Sequence, residues 1–132
     1  MSVPNLFTDY IHLGKGATAA VEPPFTGMQW YADYVQRHEA DGFEGRLVSY
    51  YTFAENWDSW ECHPEGHEVV ICTAGRMTLH QEMADGSTAS VTIGPGEYAI
   101  NPPGCWHTAD VEGDEATALF ITAGWGTDHR PR

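Results

Sequence analysis

Residues 60–75 read Trp-Glu-Cys-His-Pro-Glu-Gly-His-Glu-Val-Val-Ile-Cys-Thr-Ala-Gly, and the fold prediction starts from them. Glu61 and His63 are two residues apart, so their side chains leave the same face of an extended strand. Residues 64–66, Pro-Glu-Gly, are typical of a turn that can fold the following apolar run back beside them. Because Glu68 opens that run, the sequence predicts that three metal-competent side chains approach one another.

A second stretch, from Gly96 to His107, follows the pattern Gly-x5-Pro-x-Gly-x2-His. Its proline restricts the backbone and its glycine permits a tight turn, so His107 follows a rigid corner. We therefore expect four potential metal ligands from separate strands to converge, namely Glu61, His63, Glu68 and His107.

The two stretches resemble the motifs of the cupin family, Gly-x5-His-x-His-x(3,4)-Glu-x6-Gly and Gly-x5-Pro-x-Gly-x2-His-x3-Asn. The second motif fits residues 96–107, and Val111 stands where the family has its final Asn. The first fits from residue 63 onward, but Glu61 occupies the position of the family's first histidine. The resemblance covers roughly residues 45–124 and implies an all-β fold, an antiparallel jelly-roll barrel (double-stranded β-helix) of RmlC-like type.

The resemblance leaves the activity open, because cupins include dioxygenases, isomerases, decarboxylases, sugar-binding modules and metal-free storage proteins. Our first hypothesis is a metal-dependent cupin that acts on a small oxygen-containing substrate, such as a keto acid, a diketone or a sugar derivative, by dioxygenase- or isomerase-type chemistry. The second is a non-catalytic module that binds or senses a small ligand, with or without metal. A third is a structural homodimer with a vestigial site.

The candidate ligands determine which ions suit the site. Two imidazoles and a carboxylate, from His63, His107 and Glu68, suit a first-row divalent ion such as Fe, Mn, Ni or Zn. If Glu61 and Glu68 share a pocket about 4–6 Å apart, their repulsion is roughly 3–4 kcal/mol. A divalent cation, a shared proton or an arginine would relieve it, and the basic residues available within the predicted barrel are Arg46 and Arg76.

Composition excludes several classes of partner. The 132 residues carry 6 Lys and Arg against 19 Asp and Glu, and the net charge of -13 argues against nucleic acid or an anionic membrane surface. The N-terminus resembles no secretory signal, and no stretch approaches the ~20 apolar residues that span a bilayer. Three cysteines without Cys-x-x-Cys spacing do not indicate a disulfide framework. We therefore predict a cytoplasmic protein.

The chain reads as a single domain with an extension at each end. Residues 1–44 form an N-terminal extension with one amphipathic helix at about 27–40, and residues 45–124 form the barrel. Apolar positions with helical spacing support the helix, and these are Met28, Tyr31, Val35 and His38. After Gly42 the pattern changes to period 2, which favours strands. The tail, 125–132, has little apolar material after its tryptophan, and we expect it to fray.

The strand that follows the turn predicts self-association. Val69 and Ile71 leave the face opposite to Glu68, so the strand is apolar on both faces. A sheet of this kind is usually covered on both faces. We therefore predict a homodimer through the outer face, as the cupin resemblance also implies, and the alternative cover is the N-terminal helix.

Overall fold

Nine β-strands and one α-helix make up the secondary structure of residues 2–132, the part of the chain that the computed structural model describes. The helix is α1 (Met28–Arg37), and short 3₁₀ turns occupy residues 15–17 and 39–44. The strands are β1 (Ile11–Gly14), β2 (Thr18–Val21), β3 (Arg46–Phe53), β4 (Ser59–Cys62), β5 (Glu68–Glu82), β6 (Thr88–Ile93), β7 (Tyr98–Asn101), β8 (Trp106–Thr122) and β9 (Asp128–Pro131).

The two longest strands, β5 and β8, form the centre of the fold. They pair antiparallel from Val69 opposite Ile121 to Glu82 opposite Trp106. β5 also pairs with β6 and β7, and β8 also pairs with β3 and β4, so each long strand takes part in both halves of the roll. The pairings among residues 2–132 are antiparallel. The predicted all-β jelly roll with an N-terminal helix is confirmed.

Gly75, the last residue of the 60–75 segment, lies at an irregularity in the β5–β8 ladder. The register shifts between Cys72 and Ala74 and again between Gly75 and Arg76. Gly75 has a φ of +69°, and a Cβ at this position would overlap the backbone carbonyl of Glu115. Both conditions require glycine, so this residue lets β5 bend from one half of the roll to the other.

The main core lies inside the roll, between its two halves. Alternate residues of β5 point inward, and Val70, Cys72, Met77 and Leu79 are almost completely buried. The cluster is completed by smaller and aromatic side chains from β6 and β8, namely Ile93, Ala109, Ala116, Ala118 and Phe120. Burial of apolar surface on this scale is the main stabilising contribution in a domain of this size.

The N-terminal extension adds a hairpin and a helix to the roll. β1 pairs with both β2 and β3, and α1 packs its Trp30 and Tyr34 against Tyr10 and Leu47. The helix is shorter than the predicted 27–40: it ends at Arg37, and a 3₁₀ turn follows in which Gly42 has a φ of +55°. None of the helical segments in residues 2–132 combines the length and apolar character that crossing a membrane requires.

The expectation that the C-terminal tail frays is wrong. β9 pairs antiparallel with β4 from Ser59 to Cys62. The guanidinium of Arg130 lies 5.1 Å from the ring centre of Trp60 and 4.5 Å from that of Trp106, and it pairs with Glu82 at 2.5 Å. Cation–π contacts, an ion pair and backbone hydrogen bonds therefore anchor a segment that has almost no apolar side chains.

The outer face of β5 and β7 carries the apolar side chains that predicted self-association. Val69 and Ile71 are half-buried there, opposite Ile100 and Tyr98 on β7, which are 46% and 62% exposed. The cluster around α1 contains neither Val69 nor Ile71, so the helix does not provide the alternative cover. The homodimer stays a prediction.

Candidate metal centre

The strand register brings together all four residues that the sequence singled out. Glu61 lies on β4 directly opposite His107 on β8. His63 follows β4, and Glu68 begins β5 opposite Asn101 of β7. The turn at residues 64–66 and the Pro-Gly corner before β8 thus place the four side chains at one end of the roll.

The distances between the ligand atoms are short. Glu68 Oε2 lies 3.2 Å from His63 Nε2, and Glu68 Oε1 lies 3.1 Å from His107 Nε2. Glu61 Oε2 lies 3.6 Å from His63 Nε2, and one donor atom each of Glu61, His63 and His107 fall within 4.8 Å of one another. His63, Glu68 and His107 are buried, whereas the side chain of Glu61 is 32% exposed.

The other nitrogen of each imidazole determines its tautomer. Thr127 Oγ1 donates its single proton to the carbonyl of Gly124 at 2.8 Å, so it accepts from His63 Nδ1–H at 2.8 Å. His107 Nδ1 faces the carbonyl of Cys105 at 3.4 Å, and a carbonyl can only accept. In the neutral state, both histidines therefore direct the lone pair of Nε2 towards the carboxylates.

Both Nε2 atoms are buried and have no hydrogen-bond partner among residues 2–132. The Glu68 oxygens lie 3.2 Å from His63 Nε2 and 3.1 Å from His107 Nε2, and in the neutral tautomers acceptor faces acceptor with no proton between them. Glu68 already accepts hydrogen bonds from Asn101 Nδ2 at 3.0 Å and from Thr122 Oγ1 at 2.6 Å. Buried polar atoms without partners are costly, so this arrangement favours a cation between them.

The pKa shifts agree with this electrostatic reasoning. Burial alone would raise the pKa of Glu68, but its contacts with His107 and His63 outweigh burial and hold the pKa well below the usual range. Burial lowers the pKa of His107, whereas Glu68 raises it, and the net shift is upward. Each shift stabilises positive charge beside an ionised Glu68.

The donor set and its spacing fit a first-row divalent ion. Two atoms bound to one ion at about 2.1 Å are roughly 3.0 Å apart in octahedral and 3.4 Å apart in tetrahedral geometry. The observed separations of 3.1, 3.2 and 3.6 Å fall in that neighbourhood. Neither Arg46 nor Arg76 lines the cavity next to these residues. Neither arginine is therefore placed to balance the charges of Glu61 and Glu68.

Several contributors to the site were missed by sequence reasoning. Thr127 orients His63, and His129 Nε2 lies 3.7 Å from Glu61 Oε1. Both come from the tail that was expected to fray, and neither belongs to a periodic pattern or a motif. Gln81 and Asn101 form a further polar layer, in which Gln81 Nε2 donates to Asn101 Oδ1 at 2.7 Å.

A cavity of about 630 Å³ opens beside Glu61, His63 and Glu68. Strand β3 and the segment after it contribute Tyr51, Phe53 and Trp57 to the wall, and the N-terminal extension contributes further apolar side chains, which are Phe25, Met28, Tyr31, Tyr34 and Val35. This volume lies within the range of about 300–1,000 Å³ that is typical of small-molecule sites.

Burial keeps the other nucleophilic side chains of this region protonated. Cys62 and Cys105 are both buried, and burial raises the pKa of the Cys105 thiol to about 11. Tyr31 and Tyr51 are hydrogen-bonded through their hydroxyls, and burial raises the pKa of Tyr31 to about 12. At neutral pH, these groups can therefore donate or accept hydrogen bonds but are not nucleophiles.

Comparison with known structures shows likeness in fold. Peruvianin-I, a cysteine peptidase from Thevetia peruviana latex, is 20% identical, with a TM-score of 0.53 over 63% of this chain and 54% of that one. Hydroquinone 1,2-dioxygenase from Sphingomonas sp. TTNP3, solved with 4-hydroxybenzoate bound, is 13% identical, with a TM-score of 0.50 over 58% of each chain. An oxalate oxidase in complex with glycolate is 18% identical, with a TM-score of 0.55 over 63% and 45%.

The sequence comparisons are more specific. The chain spans about half the length of the solved structures just described. At identities of 13–20%, these structures show a likeness in fold and nothing more. No curated protein matches the sequence. The family model for the cupin domain matches residues 50–124, more than half of the chain and including all four candidate ligands. The chain therefore belongs to the cupin family.

Proposed function

We propose that this cupin binds a divalent transition-metal ion through Glu61, His63, Glu68 and His107 and acts on a small oxygen-containing substrate in the adjoining cavity. One observation carries the proposal: the Nε2 atoms of two buried histidines converge without hydrogen-bond partners. Two imidazoles and a carboxylate form the ligand set of many non-haem iron sites and also suit Mn, Ni and Zn.

Charge balance supports the same assignment. Glu61 and Glu68 bring two negative charges to the site, and neither is paired with an arginine or lysine among residues 2–132. A divalent cation would offset both charges and would meet both nitrogen lone pairs. Protons on the two imidazoles could offset the charges as well, and metal analysis distinguishes the two cases.

The side chains around the ion have different proposed roles in the reaction. When bound, the ion supplies Lewis-acid or O₂-binding chemistry, which suits dioxygenase- or isomerase-type reactions. Thr127 and the carbonyl of Cys105 hold the imidazoles in the tautomer that presents Nε2. Glu61, partly exposed on the cavity side, is either the fourth ligand or, if the other three residues hold the ion, a base that exchanges a proton with a bound substrate.

A second candidate, a non-catalytic module that binds or senses a small ligand, is favoured by the apolar character of the cavity wall. Such a cavity can bind a ligand with or without an ion. The two candidates differ in their metal requirement, since the enzyme depends on the ion and the module can be empty.

The test is the metal content of untagged protein by elemental analysis, comparing wild type, His107→Ala and His80→Ala. The control, His80, lies on β5 beside Thr108 of β8, and both of its ring nitrogens are hydrogen-bonded, to Ser90 and Asp110. We expect a stoichiometric ion in wild type and in His80→Ala and its loss in His107→Ala. Equal metal content in wild type and His107→Ala would end the metal hypothesis.

A further inference from the structure

The cavity beside the metal centre has two walls of different origin. One wall comes from the part of the chain that matches the cupin model and includes Tyr51, Phe53 and Phe120. The other comes from residues 25–35, which precede that match. The second wall therefore lies outside the part of the chain that the cupin family model matches.

Aromatic rings hold the two walls together. Tyr31 of α1 shares a hydroxyl hydrogen bond with Tyr51 of β3, and the ring of Tyr31 contacts that of Phe25 with centres 5.4 Å apart. Tyr51 in turn contacts Phe53 at 5.7 Å and Phe120 at 6.0 Å. At the mouth, Met28 lines the cavity and is 76% exposed. An occupant therefore meets apolar and aromatic surface from the mouth to the interior.

The charged lining residues disfavour an anion. Among residues 2–132, the lining contains no lysine or arginine, and its carboxylates are Glu55, Asp58, Glu61 and Glu68. The nearby arginines are engaged elsewhere: Arg37 with Glu22, Arg130 with Glu82 and Arg132 with Asp110. With an ion offsetting Glu61 and Glu68, the carboxylates of Glu55 and Asp58 still repel an anion that enters the cleft, and the protein wall offers it no lysine or arginine as counter-ion.

A cation is disfavoured for a different reason. The carboxylates deepest in the cavity, Glu61 and Glu68, belong to the candidate metal centre, where an ion would neutralise them. The other two, Glu55 and Asp58, are exposed to solvent at the rim. An ammonium group in the interior would thus be desolvated without a free partner.

The tyrosine pair supplies a hydrogen-bond donor. The hydroxyl of Tyr51 also bonds to that of Tyr10, so three hydroxyls with one proton each share two hydrogen bonds and one proton is left over. Tyr31 and Tyr51 line the cavity and can present that proton to an acceptor there. A hydroxyl or keto oxygen on the occupant satisfies this donor.

We propose that the cavity selects an uncharged molecule with a ring-sized apolar body and a hydroxyl or keto oxygen, and that the wall formed by residues 25–35, through Tyr31, makes the selection. This inference rests on the proposed function, because the cavity adjoins the candidate metal centre. It narrows the substrate class and excludes small carboxylates such as glycolate as good ligands.

The first experiment compares three probes of similar size by titration calorimetry on protein incubated with Zn²⁺: acetophenone (neutral), benzoate (anionic) and benzylammonium (cationic). We expect acetophenone to bind at least about 10-fold more tightly than either charged probe, because burying an unpaired charge is costly. Preference for benzoate or for benzylammonium, or no binding of acetophenone, would overturn the proposal.

The second experiment tests the wall. Tyr31→Phe removes one hydroxyl and should weaken acetophenone binding about 3–10-fold. Tyr50→Phe is the matched control, since Tyr50 lies on the same strand as Tyr51 but bonds to Thr73 on the exposed side. Equal affinities in the two variants would contradict the role of Tyr31. If Tyr31→Phe melts at a lower temperature, Tyr51→Phe removes the other member of the pair and is judged by the same criterion.

Metal content measured on the same samples separates this inference from the proposed function. Protein that holds no metal but still prefers acetophenone would refute the metal function and support the selection inferred here. Protein that holds metal but shows no preference for acetophenone would refute the selection alone.

Discussion

Residues 2–132 contain two clusters of histidines and acids, and they differ in how their nitrogen atoms are bonded. The metal-centre cluster consists of Glu61, His63, Glu68 and His107. The extension cluster, in the N-terminal extension, consists of His12, Glu22, His38 and Asp41. Each contains two histidines and a carboxylate with donor atoms within 4.8 Å of one another. By proximity alone, both are candidate metal sites.

The extension cluster has a partner for each of its buried polar atoms. His12 Nδ1 bonds to the hydroxyl of Tyr34 at 2.6 Å and His12 Nε2 bonds to Asp41 at 2.6 Å. His38 Nε2 bonds to Glu22 at 2.9 Å. The two imidazoles are stacked 3.6 Å apart at an angle of 15°, so their nitrogen lone pairs lie in separate, nearly parallel planes and do not converge on one point.

The difference assigns the two clusters different tasks. In the extension cluster, bonds made by side chains from β1, α1 and the 3₁₀ turn hold the helix against the roll. The helix then forms one wall of the cavity beside the metal-centre cluster. Whether each ring nitrogen has a hydrogen-bond partner therefore distinguishes a structural cluster from a candidate ligand set. The number of nearby histidines does not.

The largest effect that we expect separates the clusters by metal-dependent stability. Zn²⁺ at about 1,000 times its dissociation constant should stabilise wild type by about 4 kcal/mol, because the ion binds the folded state. His63→Ala should abolish this increment, whereas His12→Gln should lower the baseline stability and retain the increment. Urea unfolding with Zn²⁺ and with a chelator measures both quantities.

The same experiment can contradict the assignment of the ion to the metal-centre cluster. A metal increment that survives in His63→Ala but disappears in His12→Gln would place the ion in the extension cluster. The convergence of unpartnered Nε2 atoms would then have been the wrong criterion.

A smaller effect is expected from Glu22, the buried acid of the extension cluster. Its carboxylate accepts from Arg37 at 3.0 Å and from His38 at 2.9 Å. Glu22→Gln should cost about 1.5–3 kcal/mol of unfolding free energy, because hydrogen bonds to charged groups are lost. Metal content should not change. Unfolding in urea and elemental analysis of the variant check the two statements, and Glu39→Gln, on an exposed residue of the 3₁₀ turn, is the control.

Loss of metal from Glu22→Gln at full folding would contradict the separation of tasks. It would mean that the extension cluster controls the metal centre and not only the position of α1.

The sequence predicted the convergence of the four candidate ligands because short-range rules were sufficient. A turn at residues 64–66 and a Pro-Gly corner before β8 set the register that places Glu61 opposite His107. The rigid backbone of these turns leaves few alternatives, and the period-2 pattern then assigns each side chain to a face.

The remaining features depend on contacts between residues distant in the chain. Arg130 is held between Trp60 and Trp106, so β9 forms without the apolar alternation by which strands are recognised. His12 and Asp41 are 29 residues apart, and neither stands in a motif. The contribution of Tyr31 to the cavity likewise requires knowledge of where α1 docks.

The smallest effect is expected at Glu61, the residue that stands where cupins usually have their first histidine. Its side chain is 32% exposed, and its nearest basic groups are His63 at 3.6 Å and His129 at 3.7 Å. Solvent screens a partly exposed carboxylate, so Glu61→Gln should change the unfolding free energy by no more than about 1 kcal/mol. We expect Glu61→His to retain the ion, because an imidazole there completes the common cupin set around His63, Glu68 and His107. Elemental analysis and melting temperature of the two variants measure these outcomes, with Glu55→Gln, an exposed carboxylate at the cavity rim, as the control.

If Glu61→Gln loses the ion as completely as His107→Ala, Glu61 is an essential ligand and not a replaceable one. If Glu61→Gln is clearly more stable than wild type and neither protein holds metal, the two carboxylates share a proton in an empty pocket, and the metal-centre cluster becomes as structural as the extension cluster.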